Sequence, residues 1–174
     1  MLGLLKSGRA SLPLLITTAD HALLAPAIVE RFLGDARASG ADAVAALTPA
    51  SVLLAAYPQS RRTFIRFRDG PCSGANLFAI LTPEGRRTVA FWSRVEQERK
   101  RPWRLVRAFG LWPLASYLCG RLSLDDAMAR ASAVTGARVA AVRLPIPEAA
   151  IDVDKADDLR LVESILRERG ASPV

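Results

Sequence analysis

Residues 12–24, LPLLITTADHALL, constrain this chain more than any other stretch. Five of the first six are large apolar residues or Pro, and an acid, Asp20, follows with His21 beside it. A short continuous apolar run suits a strand buried on both faces, as in a parallel sheet. Asp20 then falls just past the carboxyl end of that strand, where open α/β sheets bind their ligands. A carboxylate there can hold a divalent metal or a substrate hydroxyl. The same residue also suits the turn into a following helix, because Asp is a favoured turn and cap residue.

With 174 residues, 51% of them hydrophobic, the chain is long enough for one domain with a real core and is too apolar to be disordered. Its net charge of +7 comes from arginine, since Lys6, Lys100 and Lys155 are the only lysines. That balance favours an anionic partner, and arginine suits bidentate phosphate binding. Two cysteines, Cys72 and Cys119, show no metal-ligand spacing, so a reduced cytoplasmic compartment is expected. His21 is the single histidine, which argues against a multi-histidine metal site or a Ser-His-Asp triad. The opening residues have only short apolar runs and no small-residue cleavage site, so no signal peptide is expected. No apolar run reaches the length of a membrane span.

Strand and helix patterns alternate. Pro26 opens a helix with Ile28, Val29, Phe32 and Leu33 on one face, stopping at Gly40. Residues 42–47 read as a strand, and 52–56 as one helical turn within a loop. The TFIRF alternation at 63–67 precedes an Asp69-Gly70-Pro71 turn and an apolar strand through Ile80. Pro83 opens a helical stretch, and Pro102 divides the basic run around it. Ser123 with Asp126 starts another helix. Residues 138–144 and 149–153 read as two more strands, and Asp154 with Asp157 as an acidic cap for an amphipathic last helix. The expected fold is therefore α/β, a mostly parallel sheet with helices on both faces, in one domain over residues 1–174. A basic and apolar helical insertion interrupts it at about 84–121.

Three constellations can carry chemistry. Asp20, Asp152 and Asp154 each lie where an apolar strand gives way to a helix, and in a parallel sheet such ends share one edge. Hard carboxylate oxygens suit Mg²⁺. Alternatively Asp154 is only a helix cap and Asp152 only solvated. The turn and strand from Arg66 to Asn76 offers small residues, Gly74 among them, that let a backbone approach a ligand closely, and an asparagine that both donates and accepts; a tight hairpin-like turn explains the same residues. In the run from Arg99 to Arg107, Lys100, Arg101, Arg104 and Arg107 can clamp a phosphorylated substrate. Trp103 and Trp112 flank apolar residues there, which also suits contact with an anionic membrane surface.

Taken together, TTADHALLAP (17–26), SGANLFAI (73–80) and AIDVDKADDL (150–159) resemble the nucleotidyltransferases of the MobA-like NTP transferase family, which have a GT-A type α/β fold of three layers. The resemblance implies that Asp20 and Asp154, and less directly Asp152, hold a catalytic metal, and that Gly74 and Asn76 line the acceptor pocket. It implies Mg²⁺-dependent transfer of a nucleoside monophosphate from CTP or GTP to a phosphorylated small molecule or lipid headgroup, with release of pyrophosphate. In one respect the chain departs from the pattern. The family opens with a strand and a glycine-rich basic loop that cradles the triphosphate, and no such loop precedes residue 12. The expectation is an N-terminally shortened form lacking roughly 60–100 residues, two or three βα units. Its opened apolar sheet edge would favour homo-oligomers. Two other readings stand beside this one: a non-catalytic binding module of the same fold, and a peripheral protein of anionic membrane surfaces. No basic recognition helix or aromatic-studded sheet points to sequence-specific nucleic-acid binding.

Overall fold

A computed structural model of the chain describes residues 11–89 and 111–171. The opening apolar run forms strand β1 (Leu14–Thr17). Among the described residues it pairs only with β4 (Gly70–Ile80), and its side chains are half-buried or exposed, not covered on both faces. Helix α1 spans Pro26–Ala38 with Pro in its first turn, the position where the ring's missing N–H is harmless. It buries Ile28, Phe32 and Ala36, which recur at helical spacing. Strand β2 (Ala43–Pro49), helix α2 (Ala50–Ala56) and the short strand β3 (Ile65–Phe67) follow. Beyond β4 come α3 (Leu111–Leu118), α4 (Leu124–Thr135), β5 (Val139–Arg143), a 3₁₀ turn at Pro147–Ala150, and α5 (Ala156–Ala171).

The sheet is α/β but not mostly parallel. Among the described residues its order is β1-β4-β2-β5 with β3 also on β4, and three of the four pairings are antiparallel; only β2 and β5 pair in parallel. The cause is local. Arg68 and Asp69 make a two-residue turn, and Gly70 at φ +116° takes a conformation closed to other residues, so the chain folds straight back on β3. The returning strand β4 lies between β1 and β2. Among the described residues, four strands thus run in one direction, with β4 alone opposed to them. Asp20 and the stretch from Leu144 onward still leave at the same edge, beyond the ends of β1 and β5.

Alternation along β2 and β5 divides the core. Val44 and Ala46, with Ala140 and Val142, pack against Ile28, Phe32 and Ala36 of α1. Leu47 and Ala141, of the opposite parity, pack with Cys72 against Leu124 and Met128 of α4. Helix α4 begins as its sequence dictates. Ser123 Oγ accepts from the Asp126 amide at 3.0 Å and donates to the Asp126 carboxylate at 2.6 Å.

Residues 149–153 form no strand. Pro145 and Pro147 remove two backbone donors, the chain takes a 3₁₀ turn, and the Ile151 amide bonds back to Glu148 at 3.1 Å. Ile151 and half-buried Val153 anchor this segment against Leu23, Leu53, Val162 and Ile165. Burying one such side chain contributes roughly 1.5–3 kcal/mol. The cap of α5 also differs by one residue from expectation. Asp158, not Asp157, accepts from the amides of Lys155 (3.0 Å) and Asp154 (3.2 Å), while Asp157 pairs with Arg160. No helix among the described residues is long and apolar enough to cross a membrane.

Candidate active site

After β5 the chain crosses back over the ends of β2 and β4. The Leu144 amide reaches Leu47 O at 2.8 Å, and the Val153 amide reaches Asp20 O at 3.0 Å. This second bond joins two loops whose bonded residues are 133 positions apart in sequence, so their side chains meet. Oxygens of Asp20, Asp152 and Asp154 all lie within 4.8 Å of one another. Asp152 is buried at 6% exposure, whereas Asp154 is exposed and Asp20 intermediate. Ile151 and Val153 pack into the core under α5, which turns Asp152 between them toward Asp20.

Asn76 completes the floor of this cluster. Ala45 faces Phe78 and Leu47 faces Gly74, so one residue of β2 stands opposite three of β4. The resulting bulge holds Asn76 at φ +48°, a left-handed conformation that Asn tolerates better than most residues. Leu77 is the partner of Thr17, the last residue of β1, so Asn76 sits beside the chain as it leaves for Asp20. Its Nδ2 donates to Asp152 Oδ2.

Arg62, which no pattern in the sequence singled out, reaches in from the irregular segment between α2 and β3. Its Nη1 pairs with Asp152 Oδ1, approaches Asp154 Oδ2 at 3.9 Å, and donates to the Asp152 carbonyl at 3.4 Å. Arg62 Nε is buried with no hydrogen-bond partner. His21 is buried beside the cluster, with Thr17 Oγ1 3.5 Å from its Nδ1. Burial lowers the pKa of the ring below its ordinary 6.5. The Glu148 backbone and the carboxylates of Asp152 and Asp20 pull the other way, and Arg62 adds to the lowering. The site therefore presents a neutral imidazole, not a second cation.

Two of the three expected constellations meet here, the acids with Asn76. Gly74 lies on the exposed side of β4, and a β-carbon there would find nothing within 4 Å, so no steric need demands glycine. Lys100, Arg101, Arg104 and Arg107 lie outside the described residues.

The acid cluster fits a hard divalent cation. All its donors are carboxylate oxygens, and Asp20 Oδ1 is buried with no hydrogen-bond partner, an acceptor that a bound cation would satisfy. No protein-family model matches the sequence, and no curated protein does. A solved structure does match, a hypothetical transferase from Thermus thermophilus. The TM-score is 0.79 and the identity 34%, over 91% of this chain and 69% of that one.

Proposed function

Because the chain belongs to the same family as this hypothetical transferase from Thermus thermophilus, we propose that it is a metal-dependent nucleotidyltransferase of the MobA-like kind. The reaction proposed is transfer of a nucleoside monophosphate from CTP or GTP to a phosphorylated acceptor, in the cytoplasm. A three-layer GT-A fold belongs to the same proposal. The observation that carries it is the meeting of Asp20, Asp152 and Asp154 with Asn76 at one sheet edge, from stretches far apart in sequence.

Asp20 and Asp154 would hold Mg²⁺, with Asp152 behind them. When bound there, Mg²⁺ supplies neutralisation of phosphate charge. The chain's own groups then have to align two anions. Asn76 has one amide hydrogen on Asp152 and keeps a second hydrogen and its carbonyl for an acceptor hydroxyl. In the basic stretch, Lys100, Arg101, Arg104 and Arg107 are proposed to position the phosphates. A phosphate oxygen of the acceptor bonds to the α-phosphorus, and the bond from that phosphorus to the bridging oxygen breaks, releasing pyrophosphate. The attacking oxygen is already largely ionised at neutral pH, so no general base is needed. A buried neutral His21 is consistent with that chemistry, and catalysis is mainly alignment and electrostatics.

Pyrophosphate release, assayed with each NTP against phosphorylated sugars, alcohols and lipid headgroups, tests the proposal. Release is expected with one NTP and one acceptor class, and only with Mg²⁺. If no pair gives release, and calorimetry detects neither NTP nor Mg²⁺ binding, the proposal fails.

A further inference from the structure

Arg62 lies against two of the acids that a metal would need. Its guanidinium pairs with Asp152 and stands 3.9 Å from Asp154, two of the three carboxylates that converge within 4.8 Å. Its side chain is only 14% exposed. A divalent cation bound to the same oxygens would face this positive charge a few ångströms away, with little water between to screen it. The two cations therefore compete for one set of acids.

Arg62 nonetheless keeps part of its donor set unused. Its Nε is buried without a partner, while Nη1 pairs with Asp152 Oδ1 and donates to the Asp152 carbonyl. Its backbone belongs to no helix or strand, so turning the side chain away breaks no ladder. The unused Nε–H and the neighbouring Nη–H form the fork that grips a phosphate with two parallel bonds, which a lysine cannot reproduce.

We propose that Arg62 is an exchangeable counter-cation. In the free protein it neutralises Asp152 and Asp154. When a polyphosphate takes its guanidinium, the acids pass to a divalent cation, so cation and polyphosphate bind cooperatively. This rests on the metal-dependent reading above and adds an order to it: the cation binds weakly alone and firmly in company with phosphate.

The test is calorimetry with Mn²⁺ alone, with tripolyphosphate alone, and with the preformed Mn²⁺–tripolyphosphate complex, on the full chain. The wild type should bind Mn²⁺ weakly and the complex more tightly than either component. Arg62→Met should bind Mn²⁺ alone more tightly than the wild type, on the order of tenfold, as for linked sites in general. It should also lose its preference for the complex. A merely structural arginine predicts the reverse, weaker Mn²⁺ binding on removal, and that result overturns the proposal. Removing Arg62 leaves a buried carboxylate unpaired, so Arg62→Lys covers the case in which the methionine variant does not fold. It keeps the charge and should bind Mn²⁺ as weakly as the wild type, while losing most of the gain from tripolyphosphate. An unchanged gain in the lysine variant also overturns the proposal. Asp20→Asn separates the two levels. If it leaves Mn²⁺ binding intact, the metal centre itself is wrong. If it abolishes binding while Arg62→Met does not tighten it, only the role of Arg62 is wrong.

Discussion

The Val153 amide donates to the carbonyl of Asp20 at 3.0 Å, so the two acidic loops are joined by backbone and not by the side chains that would bind a metal. Asp20→Asn should therefore keep the fold. Removing one of three clustered charges relieves repulsion, and the melting temperature of the apo variant should equal or exceed that of the wild type. What it should lose is stabilisation by Mg²⁺. At a hundredfold excess over its dissociation constant, a ligand of the native state adds about 2.7 kcal/mol. Thermal melts with and without Mg²⁺ and tripolyphosphate read this directly, and a variant that still responds like the wild type refutes the assignment.

Asn76 combines an unusual backbone with a specific bond, and two substitutions separate them. Asn76→Gly relaxes the φ of +48° but leaves Asp152 Oδ2 without its donor. The lost partner costs about 1–3 kcal/mol, more than the relief of backbone strain returns at a residue as tolerant as Asn. Asn76→Asp keeps the shape and sets two carboxylates face to face. The new acid must have a raised pKa, so its penalty is absent at low pH and grows as pH rises through the carboxylate range. Urea unfolding at acidic and neutral pH should show that divergence for the aspartate variant and not for the glycine variant.

A different constraint holds Gly85. A β-carbon there would stand 2.2 Å from the Asp42 carbonyl oxygen and 2.8 Å from its carbon. That carbonyl is fixed from the other side, because it accepts from the Leu81 amide at 2.9 Å. Neither group can retreat without losing the end of a strand. Gly85→Ala should destabilise by about 2 kcal/mol. For a chain of this size that lowers the melting temperature by roughly 4–8 °C. A melt within a degree of the wild type would show that this corner is free to move.

The meeting of the acids was legible in the sequence because β1 and β5 run in one direction and so end at one edge, beyond which Asp20 and the chain toward Asp152 both leave. That direction held although the pairing did not, and although residues 149–153 reach the edge as an irregular segment and not as a strand. The hairpin turn at Asp69-Gly70 was visible, but whether the returning strand lies outside its neighbour or between two others depends on contacts that periodicity does not encode. The run at 149–153 shows the limit of apolar runs as a signal. Buried irregular backbone and buried strand have the same composition, and the two prolines just before it decide the case. Arg62 was invisible for another reason. It lies 90 positions from Asp152, next to an equally basic Arg61 in a segment with no pattern, and only the folded chain shows which of the two turns inward.

Asp42 should make this protein acid-sensitive in a defined window. Its carboxylate accepts from the Arg138 amide at 2.7 Å and from the Thr82 hydroxyl at 2.9 Å, and these bonds hold its pKa below the usual 3.8. A group with a depressed folded value binds protons more readily when unfolded. Its contribution is thus complete above the unfolded value and is lost as pH falls through the folded one. Asp42→Asn removes that titration. Wild-type stability should fall more steeply than that of the variant below about pH 4, as the acid-unfolding curves converge. Parallel curves would mean that the bonds to Arg138 and Thr82 do not depend on charge.

Tyr57 gives the opposite sign at the other end of the scale. Its hydroxyl donates to Glu148 Oε1 at 2.9 Å, and Arg169 pairs with the same oxygen at 2.9 Å, tying α2 and α5 to the 3₁₀ turn that leads into Asp152. Burial, and then the bond to Glu148, push its pKa from 10.0 up to about 12. A raised folded value means that the stabilisation is complete below the unfolded pKa of 10.0 and disappears as pH rises toward 12. Tyr57→Phe keeps the ring's packing and loses only the hydroxyl. It should be less stable than the wild type by about 1 kcal/mol at neutral pH, the net value of one hydrogen bond. That difference should shrink as denaturant unfolding is repeated at increasingly alkaline pH. Phenolate absorbance gives the independent check: part of the wild-type titration should be delayed toward pH 12, and the phenylalanine variant should lack that late component. A gap that stays constant across this range would show that the hydroxyl acts through packing and not through its proton.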